Sequence, residues 1–403
     1  MTDRLYYVDP YLREFDATVQ RIETREGRTL VTLDRTAFYP TSGGQPFDTG
    51  ALGPFRVVDV VDEEDGSIAH VVEPPTGSPS HGALVHGAID WNRRFDHMQQ
   101  HTGQHVLSAA FERLFHVRTV SFHLGADVST IDLAREASPS EIAAAEDEAN
   151  RIVWEDRPVA IRFASAEEAA RLPLRKEPAR GGTLRLIDVE GFDLSACGGT
   201  HVARTGAIGV IAVARWERFK GGQRLEFVCG ARALGAYRQL RDATAASIRL
   251  LSVLPAELPA AIERLLGEAK EQTRARNALQ QELARYRADE LAAAAESIEG
   301  VRLVAVAIDA DATGLKTIAS AIAAKPGHIA AAVSRSAPAL IVVARAEGVA
   351  LSAQHVVAAL TSKFGGRGGG RPELAQAGGL SGSPDAIVAD ARAAIAASLT
   401  PTS

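Results

Sequence analysis

Two short motifs, His101-Thr-Gly-Gln-His105 and Cys197-Gly-Gly-Thr-His201, constrain this chain more than any other feature, because its fold must accommodate their imidazoles and thiol. A four-residue spacing inside a helical pattern puts His101 and His105 on one face. Val106, Leu107, Ala110, Phe111 and Leu114 continue that pattern as a stripe expected to be buried. Between Cys197 and His201 two glycines allow the backbone to curl until both ends reach one centre. Soft sulfur with imidazoles, and no carboxylate required, favours zinc over magnesium or calcium. Each motif alone is a weak signal, and His97 with His101 makes a second pair of the same spacing, so the residues leave the register open.

A chain of 403 residues is too long for one ordinary core, and the expected architecture is multidomain α+β. At 46% hydrophobic and 23% charged, it has a globular rather than a disordered composition. Without a long uninterrupted apolar run or a charged-then-apolar N-terminus, a cytoplasmic location with no membrane partner is expected. Two cysteines cannot form a disulfide framework, and Cys229, in Phe-Val-Cys-Gly-Ala, reads as a core residue. The net charge of -6 argues against indiscriminate nucleic-acid binding but leaves room for local basic patches. Three clusters qualify: Arg171, Arg175, Lys176 and Arg180; Arg215, Arg218, Lys220 and Arg224; Lys363, Arg367 and Arg371. An isolated run of three or four cations reads first as a solvated face.

Residues 1–95 carry short alternating apolar runs at about ten-residue intervals, which predicts a small β-barrel or sandwich. Within it, Thr41-Ser-Gly-Gly-Gln45 reads as a glycine turn. Residues 96–232 mix helices with strands, and the capping box opened by Ser138 and closed by Glu141 starts a second helix; this predicts an α+β domain with helices over a mostly antiparallel sheet. Asp193, four residues before Cys197, could orient a metal-bound histidine or a water, or cap a strand end. Residues 233–298 read as helix, with a heptad seam from Ile262 to Tyr286 interrupted by Gln272 and Arg276; a coiled-coil arm for a homodimer and a spacer within one subunit both fit. Residues 299–403 alternate strands and helices as an α/β domain, where Phe364–Pro372 reads as a glycine loop able to embrace phosphate between Arg367 and Arg371.

The strings HTGQHVLSAAF and CGGTHVARTGAIGV resemble the editing domain of alanyl-tRNA synthetases and of the freestanding AlaX-type alanyl-tRNA editing proteins. YYVDPYLREFDATV, FYPTSGGQPFDTG, RLEFVCGARAL and GGRGGGRPELAQAGG extend the likeness to the longer AlaX-type proteins. The resemblance places the histidine pair on His101 and His105 and implies one Zn2+ per chain held by these two with Cys197 and His201. It implies a deacylase that hydrolyses the ester between a wrong amino acid, serine or glycine, and the terminal adenosine of tRNA(Ala). In that reading Thr102, Gln104 and Asp193 serve the reaction, while Ser42, Gly43, Gly44, Gln45, Thr119 and Arg224 contact the aminoacylated end. Arg367 and Arg371 fall in a segment resembling the C-terminal domain shared with DHH-type phosphoesterases, where it is associated with tRNA binding. Many synthetase editing domains carry threonine where Gln104 stands, which leaves the balance between serine and glycine open. Thr102 occupies the place of the glutamate of H-E-x-x-H peptidases, so a zincin mechanism is not expected. Nor is a synthetase, since the matched region begins at the barrel. A tRNA-delivery module with a structural zinc, and a zinc hydrolase of small esters or amides, are the competing functions.

Overall fold

A computed structural model describes residues 1–73, 80–175 and 182–400, so Lys176 and Arg180 of the first basic cluster lie outside the described residues. The chain divides into two compact units, Met1–Ser247 and Ile248–Ser403.

The first unit opens with a closed six-stranded barrel: β1 (Glu14–Arg25), β2 (Arg28–Leu33), β3 (Gly50–Leu52), β4 (Phe55–Asp62), β5 (Ile68–Glu73) and β6 (Leu84–Ile89). Its order is β1-β2-β5-β4-β3-β6, with β6 returning to pair with β1. In β4, Phe55 and Val57 point inward until a register shift between Val57 and Asp59 resets the alternation and brings Val60 inside. The barrel core is made by Val19, Val31, Leu33, Phe38, Leu52 and Ile68 with these residues.

Helix α1 (Trp91–Phe115) follows, started by Asp90, whose side chain accepts from Arg93 N, and stopped by His116 in a left-handed conformation. Every residue from His97 to Phe111 is buried, not one stripe alone. Leu114, expected in that stripe, is 44% exposed, and in the last turn it is Phe115 that packs against the core. A helix this polar can be buried all round only if its side chains are satisfied. Gln100 accordingly exchanges two hydrogen bonds with the backbone of Cys229, and Gln99 donates to Ala207 O. Arg94 fastens the helix to the barrel through Asp48 and the carbonyls of Pro10 and Ala37.

Around α1 lie β7 (Thr119–Leu124), β8 (Ser129–Leu133), α2 (Pro139–Trp154), β9 (Val159–Ala164), β10 (Leu184–Val189), β11 (Asp193–Ala196), β12 (Ile211–Phe219) and β13 (Gly222–Cys229). They form two antiparallel sheets, β12-β13-β8-β7 and β9-β10-β11. The capping box of Ser138 and Glu141 starts α2 as the sequence predicts. Helix α3 (Gly230–Leu251) leads out of this unit.

The second unit contains α4 (Leu258–Ala293), β14 (Glu296–Ile298), β15 (Val301–Ile308), α5 (Ala312–Ala323), β16 (His328–Ser334), β17 (Ala339–Arg345), α6 (Ala353–Phe364), β18 (Arg367–Gly370), β19 (Leu374–Leu380) and α7 (Pro384–Leu399). The sheet order is β14-β15-β16-β17-β19-β18. Alternate residues of β16 feed two cores, Ala330 and Ala332 with α4 and α5, Ile329, Ala331 and Val333 with α6 and α7. Helices thus cover both faces, as an α/β domain requires, but only β15 and β16 pair in parallel. The short Arg335–Pro338 link permits a hairpin where a parallel crossover needs a helix. The Phe364–Pro372 segment also departs from expectation: Arg367–Gly370 is an edge strand registered against Ala375–Gly378, not a loop. The seam of α4 is open, with Leu265, Leu279, Leu283 and Tyr286 all exposed, while Ala284, Ala288 and Ala292 are buried. Among the described residues no single helix is long and apolar enough to cross a membrane.

Candidate metal centre

His101, His105, Cys197 and His201 converge, their ligand atoms all within 4.8 Å of one another. Helix α1 supplies the first pair one turn apart, and the turn leaving β11 supplies the second. His101 Nε2 and His201 Nε2 stand 3.4 and 3.3 Å from Cys197 Sγ. A zinc tetrahedron with one sulfur and three nitrogens has edges of about 3.3–3.6 Å, which these two sulfur–nitrogen separations match, while the wider pairs of the set would draw together around an ion.

Each imidazole is oriented from behind. His101 Nδ1 donates to Gln45 Oε1 at 2.8 Å, His105 Nδ1 to Asp193 Oδ2 at 2.9 Å, and His201 Nδ1 to Thr102 Oγ1 at 3.2 Å. Fixing the proton on Nδ1 three times leaves Nε2 as the free lone pair three times. These braces are themselves held. Gln45 also accepts from Thr200 N and donates to Thr200 Oγ1. Thr102 gives its proton to Met98 O at 2.8 Å and accepts from Val202 N at 3.1 Å. Asp193 accepts from Arg175 Nε at 2.6 Å and from Ser195 Oγ.

Two glycines permit this closeness. A Cβ on Gly199 would lie 2.2 Å from His101 Cε1, and one on Gly103 would lie 2.3 Å from Cys229 Sγ. The second contact explains a glycine in mid-helix and why Cys229 is fully buried, its thiol pushed up by desolvation.

Burial opposes ionisation of Cys197, but its contacts with His101 and His201 more than offset it and hold the thiol well below its usual range. Burial and the His101 charge push His201 down to about 3. Asp193, despite burial, is kept ionised by His105 and Arg175. His105, against desolvation, is raised by its bond to Asp193. His97 stands outside the cluster, buried and pushed down to about 4 by desolvation and by Arg93.

Several residues sit differently from their sequence-based roles. Gln45 and Thr102 are buried with their polar atoms engaged behind His101 and His201. Ser42 and Gly43 are exposed, on a tight turn in which Ser42 and Gln45 exchange backbone hydrogen bonds of 3.1 and 2.9 Å and both glycines have positive φ. Gly44 O accepts from Leu124 N, which ties this turn to β7. Gln104 Nε2 and Thr119 Oγ1 both donate to Ser108 Oγ, at 2.9 and 2.8 Å, while Gln104 Oε1 is buried with no partner among the described residues. Arg224 is committed to Asp132 at 2.7 Å and stacks on Phe219, not free for a ligand. Arg215, Arg218 and Lys363 are likewise ion-paired, with Glu226, Glu136 and Asp390. Arg367 and Arg371, in the second unit, are exposed and have no carboxylate partner among the described residues. Beside Asp193, a cavity of about 530 Å³ is lined by Arg113, Arg175, Asp188 and Phe192. Sequence reasoning placed Arg175 only in a basic cluster and missed Arg185, since neither stands within a motif.

Residues 10–93 match the family of class II (A) tRNA synthetases, and residues 184–226 the second additional domain of threonyl and alanyl tRNA synthetases. The alanine–tRNA ligase of Pyrococcus abyssi (strain GE5 / Orsay) is 35% identical over 387 residues, covering 93% of this chain and 42% of the ligase. That of Halobacterium salinarum is 37% identical over 408 residues, 96% of this chain and 42% of the ligase. The chain therefore spans less than half the length of the ligases it matches. The alanyl-tRNA editing protein AlaX-L of Pyrococcus horikoshii is 33% identical over 399 residues, covering 96% of each protein. A crystal structure of the C-Ala domain from Aquifex aeolicus alanyl-tRNA synthetase aligns with 25% of this chain and 97% of its own, at TM-score 0.24 and 18% identity, too slight a likeness to argue from.

Proposed function

The chain belongs to the family of the AlaX-L alanyl-tRNA editing protein, and from that premise we propose that it hydrolyses the ester joining a wrong amino acid, serine first and glycine second, to the terminal adenosine of tRNA(Ala). The observation that carries the reading is the convergence of one thiol and three braced Nε2 atoms on a single point. A zinc ion held there by His101, His105, Cys197 and His201 would supply a fixed positive charge at the charged end of the tRNA. The four side chains fill a tetrahedron by themselves, which favours orientation over delivery of a metal-activated water. An aminoacyl ester is labile, so positioning it beside water accounts for most of what the site must do.

Ser42 and Gly43 offer an exposed turn whose last residue, Gln45, ends against His101. Such a turn can receive the CCA end beside the centre. Gln104 Oε1, buried and unmatched, is an acceptor that a seryl hydroxyl would satisfy and an alanyl methyl would not. Serine differs from alanine by one hydroxyl, which a synthetase pocket discriminates poorly and a second site can test by hydrogen bonding. Arg367 and Arg371 supply unpaired cations for the tRNA backbone. The open seam of α4 is the surface a second copy would use.

Zinc-replete protein should release serine from Ser-tRNA(Ala) while sparing Ala-tRNA(Ala); no release, or equal release of alanine, overturns the reading. One specific observation favours a second reading, a delivery module with a structural ion: four side chains cluster, and if all bound one zinc they would leave it no open position. The double variant His101→Ala/His105→Ala separates them. Lost hydrolysis in a folded protein supports the enzyme, and global unfolding supports the structural ion.

A further inference from the structure

Arg185 is a buried cation, 7% exposed, with no carboxylate partner among the described residues. An unpaired internal charge is costly, so its other contacts must compensate. Those contacts are carbonyls: Nε donates to Tyr7 O at 2.9 Å, and Nη1 to both Cys197 O at 2.7 Å and Gly199 O at 2.9 Å. One guanidinium nitrogen thus draws two carbonyls of the metal-bearing turn to the same side.

In a trans peptide the C=O and the following N–H point in opposite directions. With Cys197 O and Gly199 O turned toward Arg185, the N–H groups of Gly198 and Thr200 are turned away from it. Thr200 N shows where that direction leads, since it reaches the Gln45 oxygen that braces His101. Gly199 N faces Cys197 Sγ at 3.4 Å. Of these three amides only Gly198 N–H has no acceptor among the described residues, and Gly198 is exposed.

Resting on the deacylase reading, we propose that Gly198 N–H is the hydrogen-bond donor for the ester's carbonyl oxygen, and that Arg185 is the positioning residue that aims it. When the oxygen of water bonds to the carbonyl carbon, the C=O π pair moves onto oxygen, and this oxyanion accepts from Gly198 N–H. Reforming C=O expels the ribose oxygen, which takes up the proton lost by the water. Free amino acid and a terminal hydroxyl result.

Gly198→Pro removes the donor, whereas Gly198→Ala keeps it, since an added Cβ meets only Tyr7 Oη at 3.4 Å. Single-turnover deacylation of Ser-tRNA(Ala) should slow roughly 100- to 1,000-fold in Gly198→Pro and by clearly less in Gly198→Ala, which keeps the donor, with one zinc per chain in both. Binding gives a readout apart from turnover. A phosphonate analogue of seryl-adenosine, which carries a tetrahedral oxyanion, should lose its affinity for Gly198→Pro, while the planar amide-linked analogue keeps its own. Arg185→Lys, which retains the charge but cannot clamp two carbonyls in the same geometry, should reproduce the selective phosphonate loss even if Gly198→Pro does not fold. Unchanged phosphonate affinity in either folded variant, or an equal rate loss in Gly198→Ala, overturns the proposal. A parent protein that deacylates nothing overturns the deacylase reading itself, a different failure from an active parent indifferent to Gly198→Pro.

Discussion

Gly199→Ala should eject one metal ligand while leaving the fold standing. The new Cβ would lie 2.2 Å from His101 Cε1, 2.4 Å from its Nδ1 and 3.0 Å from Gln45 Oε1. Carbon atoms in contact sit about 3.5–4.0 Å apart, so the ring must retreat by about 1.3 Å or more. Metal–ligand distances tolerate about 0.2 Å, and a shift of that size takes Nε2 out of bonding range. The Gln45 brace goes with it, and losing such an outer hydrogen bond alone weakens metal binding about 10- to 100-fold, or about 1.4–2.7 kcal/mol. With the ligand lost as well, zinc affinity should fall by more than about 100-fold. Competition against a chromophoric chelator measures it, with circular dichroism reporting the fold. Gly198→Ala, one residue earlier, meets only Tyr7 Oη and should bind zinc as the parent does. A Gly199→Ala protein that holds zinc as tightly as the parent would refute the reasoning.

Three further outcomes are expected. Asp193→Asn replaces the carboxylate that accepts from His105 and Arg175, and zinc affinity should drop about 10- to 100-fold in the same competition assay; unchanged affinity would show that the brace is idle. Asp48→Asn strands the wholly buried Arg94 guanidinium and should cost about 3–5 kcal/mol, read as a lower urea midpoint at constant slope. His70, fully buried between Thr36 Oγ1 and Val31 O, is pushed down to about 4 by desolvation. The unfolded chain takes up that proton first, so its contribution is complete above about pH 6.5 and is lost as pH falls to about 4, a change of about 3 kcal/mol. Urea melts at stepped pH should show the loss and a shallower slope in His70→Gln; an identical slope would be the contrary result.

What the sequence displayed and what it concealed divide along physical lines. Periodicity reports one element's exposure to its surroundings, so the alternation of Phe55–Asp62 and the capping box at Ser138 were legible. The four clustered side chains stood within two motifs, so their convergence was legible too. The polar residues that aim them were not, because a hydrogen bond between Gln45 and His101 spans 56 positions and leaves no local trace. Gln45, expected to contact the aminoacylated end, and Thr102, expected to serve the reaction, also hydrogen-bond His101 and His201, contacts that no local pattern announces. Leu114 failed for the converse reason: its helical phase is right, but in the last turn it is Phe115 that packs against the core while Leu114 is exposed. Glycines misled at Arg367–Gly370, where low side-chain content suggested a loop although the backbone pairs along the sheet edge.

The acceptor holding His101 comes from the barrel region, while all four clustered side chains come from beyond it, so a zinc ion held there would report on its neighbour's integrity. A proteolytic fragment stripped of the first ninety or so residues would keep every coordinating atom and lose the oxygen that aims one of them. Such a fragment would be a poor scavenger of zinc and, on the deacylase reading, a harmless one. Charged tRNA would then be exposed to hydrolysis only by chains whose two halves had both folded.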